Sequence, residues 1–242
     1  MPSLANIIAG GLVGLGVASG GFLAGEGLVK SRLGFRTVTV KGLAEREVKA
    51  DLGFWPVRFV ATGATLEESR ARLETAETAV KGFLGQQGFD AQSFQVQNIQ
   101  VEDRAAGYNS SGVAPDSRFV LTEDLLVKST EVDRLASASR MVGDLLKAGV
   151  VFSADAYNAG PSFIFTRVND LKGEMLTEAT GRAKEAAQKF ASESGARVGD
   201  IQNANQGLIE IKPAVEIPND RPEKQIMKTV RVVTTITYFL ND

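Results

Sequence analysis

The segment from Ile226 to Leu240 (IMKTVRVVTTITYFL) constrains the fold more than any other. Its β-branched residues crowd a helix and fit a pleated strand. Apolar residues or Thr occupy both faces, which predicts a central strand rather than an edge. A central strand needs neighbours, and the sequence supplies them. Arg36 to Lys41 alternates as a half-buried strand and stops at Gly42. Glu45 to Val60 continues extended, with Val48, Ala50, Leu52 and Phe54 on one face. Pro56 cannot donate to a ladder and marks an edge or a bulge there. Phe94 to Val101 slips its apolar phase from Phe94/Val96 to Ile99/Val101, as a bulge near Gln97-Asn98 requires. Arg118 to Lys128 and Val198 to Ile211 read as further strands. Val150 to Phe165 reads as extended around a turn at Asn158-Ala159-Gly160-Pro161.

Helices separate these strands. Thr65-Leu66-Glu67-Glu68 forms a capping box that opens a helix carrying Leu66, Leu73, Val80 and Leu84, with its end near Gly85 or Gly88. Thr130 is the expected cap of a second helix through Leu135, Val142, Leu145 and Leu146 to Gly149. The longest begins at Asn169 or Asp170 and ends at Gly195, with a face of Leu171, Met175, Ala179, Ala183, Ala186 and Phe190. So many alanines let a helix lie close on a sheet. Paired strands between isolated helices define an α+β fold with a mostly antiparallel sheet and helices packed on it.

The N-terminus obeys a different rule. Leu4 to Gly25 (LANIIAGGLVGLGVASGGFLAG) carries no charge, and at about 1.5 Å per residue it reaches the ~30 Å of a hydrocarbon core. Gly10, Gly14, Ala18, Gly21 and Gly25 recur in steps of four, four, three and four, which keeps them on one helix face. Such a stripe lets helix backbones approach closely in lipid. The expectation is one transmembrane helix that packs against copies of itself. A cleaved signal peptide is the competing reading, with small residues at Val17-Ala18-Ser19 and Phe22-Leu23-Ala24. The missing Lys or Arg before the apolar run, and the length of that run, favour a retained anchor. The expected organisation is an anchor at 1–29, a juxtamembrane linker at 30–35 and one folded domain at 36–242. Lys30, Arg32 and Arg36 follow the apolar run, and the positive-inside rule would hold that flank in the cytoplasm.

Composition removes whole chemistries. The 242 residues contain no Cys and no His. That excludes disulfides, thiolate nucleophiles, zinc-thiolate sites and a Ser-His-Asp triad. A net charge of −2 gives no general basis for binding nucleic acid. No GxGxxG follows a strand and no phosphate loop occurs. Glu45 and Glu47 share a strand face but sit among Lys41, Arg46 and Lys49, as a solvated, charge-balanced edge does. Glu123 and Asp124 are adjacent on a strand and point to opposite faces, so they cannot share a metal or a proton. Asn109-Ser110-Ser111 matches a glycosylation sequon. Trp55 is the one aromatic of interest, as a core residue or a subunit interface. No catalytic, cofactor-binding or metal-binding residue is expected, and no cofactor.

With this order of elements, the chain resembles the SIMPL-domain family, also called DUF541. The resemblance rests on TVTVKGLAEREVKADLGFWPVRF (37–59), TLEESRARLETAETAVKGFLGQQGF (65–89) and FQVQNIQVED (94–103). It continues through DLLKAGV (144–150), EATGRAKEAAQKFASESGARVGDI (178–201) and VRVVTTITYFL (230–240). Residues 37–56, with their Trp-Pro, look most like a membrane-anchored bacterial subgroup. The resemblance implies an α+β domain exported to the periplasm or cell envelope, ring- or channel-like homo-oligomers, an association with envelope stress, and no established enzymatic activity. The expected protein is therefore a single-pass bacterial inner-membrane protein with a periplasmic domain, which conflicts with the charge flank above. It is expected to be non-enzymatic, with itself and the bilayer as partners, assembling into a ring or cage. The alternatives are a monomeric periplasmic ligand-binding or chaperone-like module, and a carboxylate hydrolase.

Overall fold

The computed structural model describes residues 14, 16–22, 25, 36–106, 114–153, 160–218 and 221–241. Along the chain these form β1 (Thr37–Lys49), β2 (Leu52–Gly63), α1 (Leu66–Gln86), β3 (Phe94–Asp103), β4 (Phe119–Ser129), α2 (Val132–Arg140) and α3 (Gly143–Lys147). β5 (Val151–Phe152), β6 (Ser162–Ile164), α4 (Val168–Glu193), β7 (Arg197–Pro213) and β8 (Met227–Asn241) complete the order. The fold is α+β, as expected, but its strands divide between two sheets rather than one. The first has the order β1-β8-β7, and β8 is its central strand. The second has the order β3-β4-β2-β5, with β6 also on β2.

The chain divides into two compact units. The first comprises residues 1–43, 177–207 and 233–242. Here the Leu240 N–H donates to the Arg36 carbonyl at 2.7 Å, and the hydroxyls of Thr39 and Thr237 are 2.9 Å apart. Val40, Ala183, Ala187, Ile236 and Tyr238 form its core. The alanines allow a very close approach. A Cβ built on Gly42 would stand 1.8 Å from the Ala179 carbonyl oxygen, so only glycine fits beneath α4. The buried stripe of α4 is Met175, Ala179, Ala183, Ala187 and Ala191, one residue in every four. Phe190, expected on that face, is 64% exposed instead. It lies about 100° round the helix from Ala191, because the four-residue stripe leaves the three-four pattern that would have included it.

The second unit comprises residues 44–176 and 208–232. In its five-stranded sheet every pairing with a given register is antiparallel. β2 pairs with β4 from Gly53–Ser129 to Gly63–Phe119, all of the strand but Leu52. On its other edge β6 covers Leu52 to Phe54 and β5 covers Phe59 and Val60. Pro56 falls in the gap between them, where no N–H is required of it. The bulge in β3 lies between Val96 and Asn98, where the phase slip placed it. α1 packs on β2 and β4 through Leu73, Val80, Phe83 and Leu84. Its capping box is real but displaced: the Glu68 N–H donates to Thr65 Oγ1, while Glu68 Oε2 accepts from the N–H of Ala64, one residue before the cap. Leu66, expected on the buried face, is 47% exposed, and Ser69 is buried there by donating to the Thr65 and Phe119 carbonyls.

Two further expectations change. Thr130 does not cap a helix; α2 follows Glu131, which provides no side-chain cap. That helix is also not continuous to Gly149, because tight bonds from Asp144 N–H to the Met141 carbonyl and from Leu145 N–H to the Val142 carbonyl break it before α3. The helix ends at Gly88, Gly149 and Gly195 all have positive φ, which glycine alone adopts readily. At the N-terminus residues 14, 16–22 and 25 are helical. Among the described residues no helix is long and apolar enough to cross a membrane. Gly10 and much of the expected span, with Lys30 and Arg32, lie outside the described residues, as do the Asn109-Ser110-Ser111 sequon and the turn residues Asn158 and Ala159.

Candidate functional site

The most unusual group in the second unit is Glu123 of β4. It shares a face with Leu121, Leu125 and Val127, and it is 1% exposed. Its cross-strand neighbours are Phe59 on β2 and Ile99 on β3. Its Oε1 has no hydrogen-bond partner among the described residues. Burial pushes the Glu123 carboxyl up to about 7; the nearby Glu77 carboxylate adds to the rise, and Lys81 opposes it. Glu77 and Lys81 lie one turn apart on α1 and form an ion pair with each other at 2.5 Å. Asp124 points the other way, as the strand alternation requires, and takes a two-pronged ion pair from Arg58, with Nη2 at 2.9 Å from Oδ2. Glu123 is thus a carboxyl held largely protonated below neutrality.

Several other acidic residues are engaged structurally. Glu45 stands 3.5 Å from Arg231, and Arg46 pairs with Glu174 at 3.2 Å. Asp51 accepts from the N–H groups of Thr166 (2.9 Å) and Arg167 (3.3 Å), just ahead of α4. Burial works to raise its pKa, but the bonds from Thr166 and Arg167 outweigh that and hold the carboxyl below its ordinary value. Among the described residues no group of three or more Asp or Glu could hold a metal ion.

Two clefts open beside β2. One of about 320 Å³ is lined by Val60 to Thr62, Arg72, Thr75, Ala76, Ala148, Gly149 and Val151. Arg72 is occupied there, donating to the Thr62 carbonyl at 2.7 Å and pairing with Glu68. The other, about 250 Å³, borders the Pro56 gap and is lined by Trp55 to Arg58, Ser139, Val142, Phe152 and Gly160. Both sit at or below the lower end of ligand pockets, roughly 300–1,000 Å³. Neither is lined by Glu123. Trp55 is 2% exposed and belongs to the core with Val57, Leu125 and Leu135. Of the small-residue stripe, Gly14, Ala18 and Gly21 are exposed and Gly25 is half-buried.

Antiparallel sheets with helices laid on them define an α+β fold that carries a buried carboxyl and small clefts. A family model described as SIMPL, a protein of unknown function (DUF541), matches residues 38–238. The chain belongs to that family. No curated protein matches it.

Sequence reasoning missed the burial of Glu123. The signal was present: Glu123 is in phase with Leu121, Leu125 and Val127, so the apolar face of β4 carries it inward.

Proposed function

We propose that the chain is a non-enzymatic, membrane-anchored envelope protein of the anchored SIMPL subgroup that self-assembles into a ring- or cage-like homo-oligomer linked to envelope stress. One observation carries this reading. At Gly42, Gly53 and Gly63, a Cβ would collide with neighbouring atoms of the same chain, within 1.8 to 2.8 Å. At Gly14, Gly16, Gly20, Gly21 and Gly25 a Cβ would meet nothing within 4 Å. Among the described residues nothing packs against the N-terminal glycines. Gly82, Gly85 and Gly181 on the helices of the folded domain are equally open, but only the N-terminal ones recur on one face of an uncharged run. A second helix in a bilayer is the partner that such a stripe fits. Each such contact is worth only about 1 kcal/mol, but tethering on one membrane raises the effective concentration of the attached domains.

The anchor sits in the bacterial inner membrane with residues 36–242 on the periplasmic side. Protease digestion of intact spheroplasts tests that orientation: the domain is cut from outside. Digestion only after the membrane is breached would contradict it. The apolar cleft beside Trp55 is what a monomeric ligand-binding or chaperone-like module would use. A small molecule or peptide retained in native mass spectrometry, on a protein of monomer mass, would favour that second reading.

A further inference from the structure

Sheet edges expose unpaired N–H and C=O groups, and natural proteins guard them with charge, proline, bulges or short strands. Most edges among the described residues are guarded. β5 and β6 have two and three residues. β3 is bulged and ends in Glu102-Asp103. β1 carries Lys41, Glu45, Arg46, Glu47 and Lys49. β7 differs. It runs 17 residues along the edge of its sheet, with β8 as its one neighbour among the described strands. From Ile201 to Ile209 it has no charge and no proline. Every residue from Asp200 to Leu208 is exposed, with Leu208 at 84% and Ile201 at 52%.

We propose that β7 pairs antiparallel with β7 of a second copy of this chain, about a two-fold axis at Gln206. The self-complementarity of the strand selects both occupant and register. With Gln206 opposite itself, Asp200 faces Lys212 of the second copy, and the reciprocal pair closes the other end. Ile201 then faces Ile211, and Ala204 faces Leu208. Opposite charges and apolar pairs directly across a ladder stabilise it, and like charges destabilise it. Centring on Asn205 instead sets Asp200 against Glu210, and centring on Gly207 sets Asp200 against Ala214 and Lys212 against Gln202. Of these three registers only the one centred on Gln206 sets opposite charges across the ladder together with apolar pairs; Ile209 and Glu210 then face the uncharged Asn203 and Gln202. The resulting contact is isologous, so it closes as a dimer and buries the unguarded edge. It deepens the self-assembly proposed above, yet rests on β7 and not on the N-terminal stripe.

The absence of cysteine makes the test clean. Gln206→Cys in the full chain in detergent is oxidised, or treated with a short bis-maleimide, and run on a denaturing gel. The pairing gives a covalent species of twice the chain mass, because position 206 meets itself at about 5 Å between Cβ atoms. Asn203→Cys lies three residues from the axis, so its two copies stand about 20 Å apart and cross-link at least tenfold less. Adding Asp200→Lys to Gln206→Cys lowers cross-linking several-fold, and adding Lys212→Asp to that chain restores it. Trp55 fluorescence verifies that each variant is folded. Equal cross-linking at 206 and 203, or capture of a different polypeptide at 206, overturns the pairing. Absence of the Gln206→Cys dimer while light scattering still shows an oligomer overturns this interface and leaves self-assembly standing; a monomer by light scattering removes both.

Discussion

Replacing Glu123 with Gln should stabilise the second unit at neutral and alkaline pH and leave it little changed in mild acid. Gln keeps the shape and can never ionise. The magnitude follows from the carboxyl's displacement from 4.5 to about 7. At 1.36 kcal/mol per pH unit this amounts to roughly 3 kcal/mol, an upper value because water penetration softens burial. The sign is fixed by where the proton sits. Between pH 4.5 and 7 the folded chain keeps the proton and the unfolded chain has lost it, so the Glu123 contribution is complete below pH 4.5 and fades until pH 7. Above pH 7 it is flat. Urea unfolding followed by Trp55, the only tryptophan and a core neighbour in the same unit, reads this directly. The stability difference between the Glu123→Gln variant and the wild-type protein should grow by up to about 3 kcal/mol from about pH 4.5 to about pH 8. Parallel pH curves would refute the argument, since they would mean that Glu123 ionises as readily folded as unfolded.

Gly42→Ala should be severe, because the added carbon meets backbone rather than a movable side chain. Overpacking of this kind costs about 1–3 kcal/mol or more, and calorimetry should show a Tm lower by roughly 2–4 °C for each kcal/mol. Asp51→Ala removes the acceptor of the Thr166 and Arg167 N–H groups and should cost about 1–3 kcal/mol in urea. Its pH signature is opposite to that of Glu123: the Asp51 contribution is present above the ordinary carboxylate range and is lost as pH falls through its depressed pKa, so acid unfolding should begin at higher pH in Asp51→Ala. Glu77→Gln should lower the Glu123 pKa by removing the adjacent carboxylate, moving the pH-dependent window of the wild-type stability curve downward.

Much of this architecture can be read from residue patterns where the pattern is local. β8 announces itself by apolar or Thr residues on both faces, and it is central. The β3 bulge follows from one phase slip, and α1 starts where Thr65 and Glu68 can satisfy free N–H groups. What resists reading depends on distant partners. The division into two sheets depends on which edges meet, and no local alternation encodes that. Phe190 looks like a core residue until the approach of Gly42 to Ala179 fixes which stripe of α4 is buried. Glu123 looks like a surface acid until α1 covers its face of the sheet. Its neighbour Asp124, with Arg58 across the ladder on β2, shows what an accommodated carboxylate on the same strand looks like.

Self-assembly is tested most directly by the mass of the full chain in mild detergent, measured by light scattering with the detergent contribution subtracted. Self-assembly through the glycine stripe gives a multiple of 25.8 kDa that falls when Gly14 and Gly21 are both replaced by Leu. A single species at the chain's own mass, unchanged by those substitutions, would contradict it.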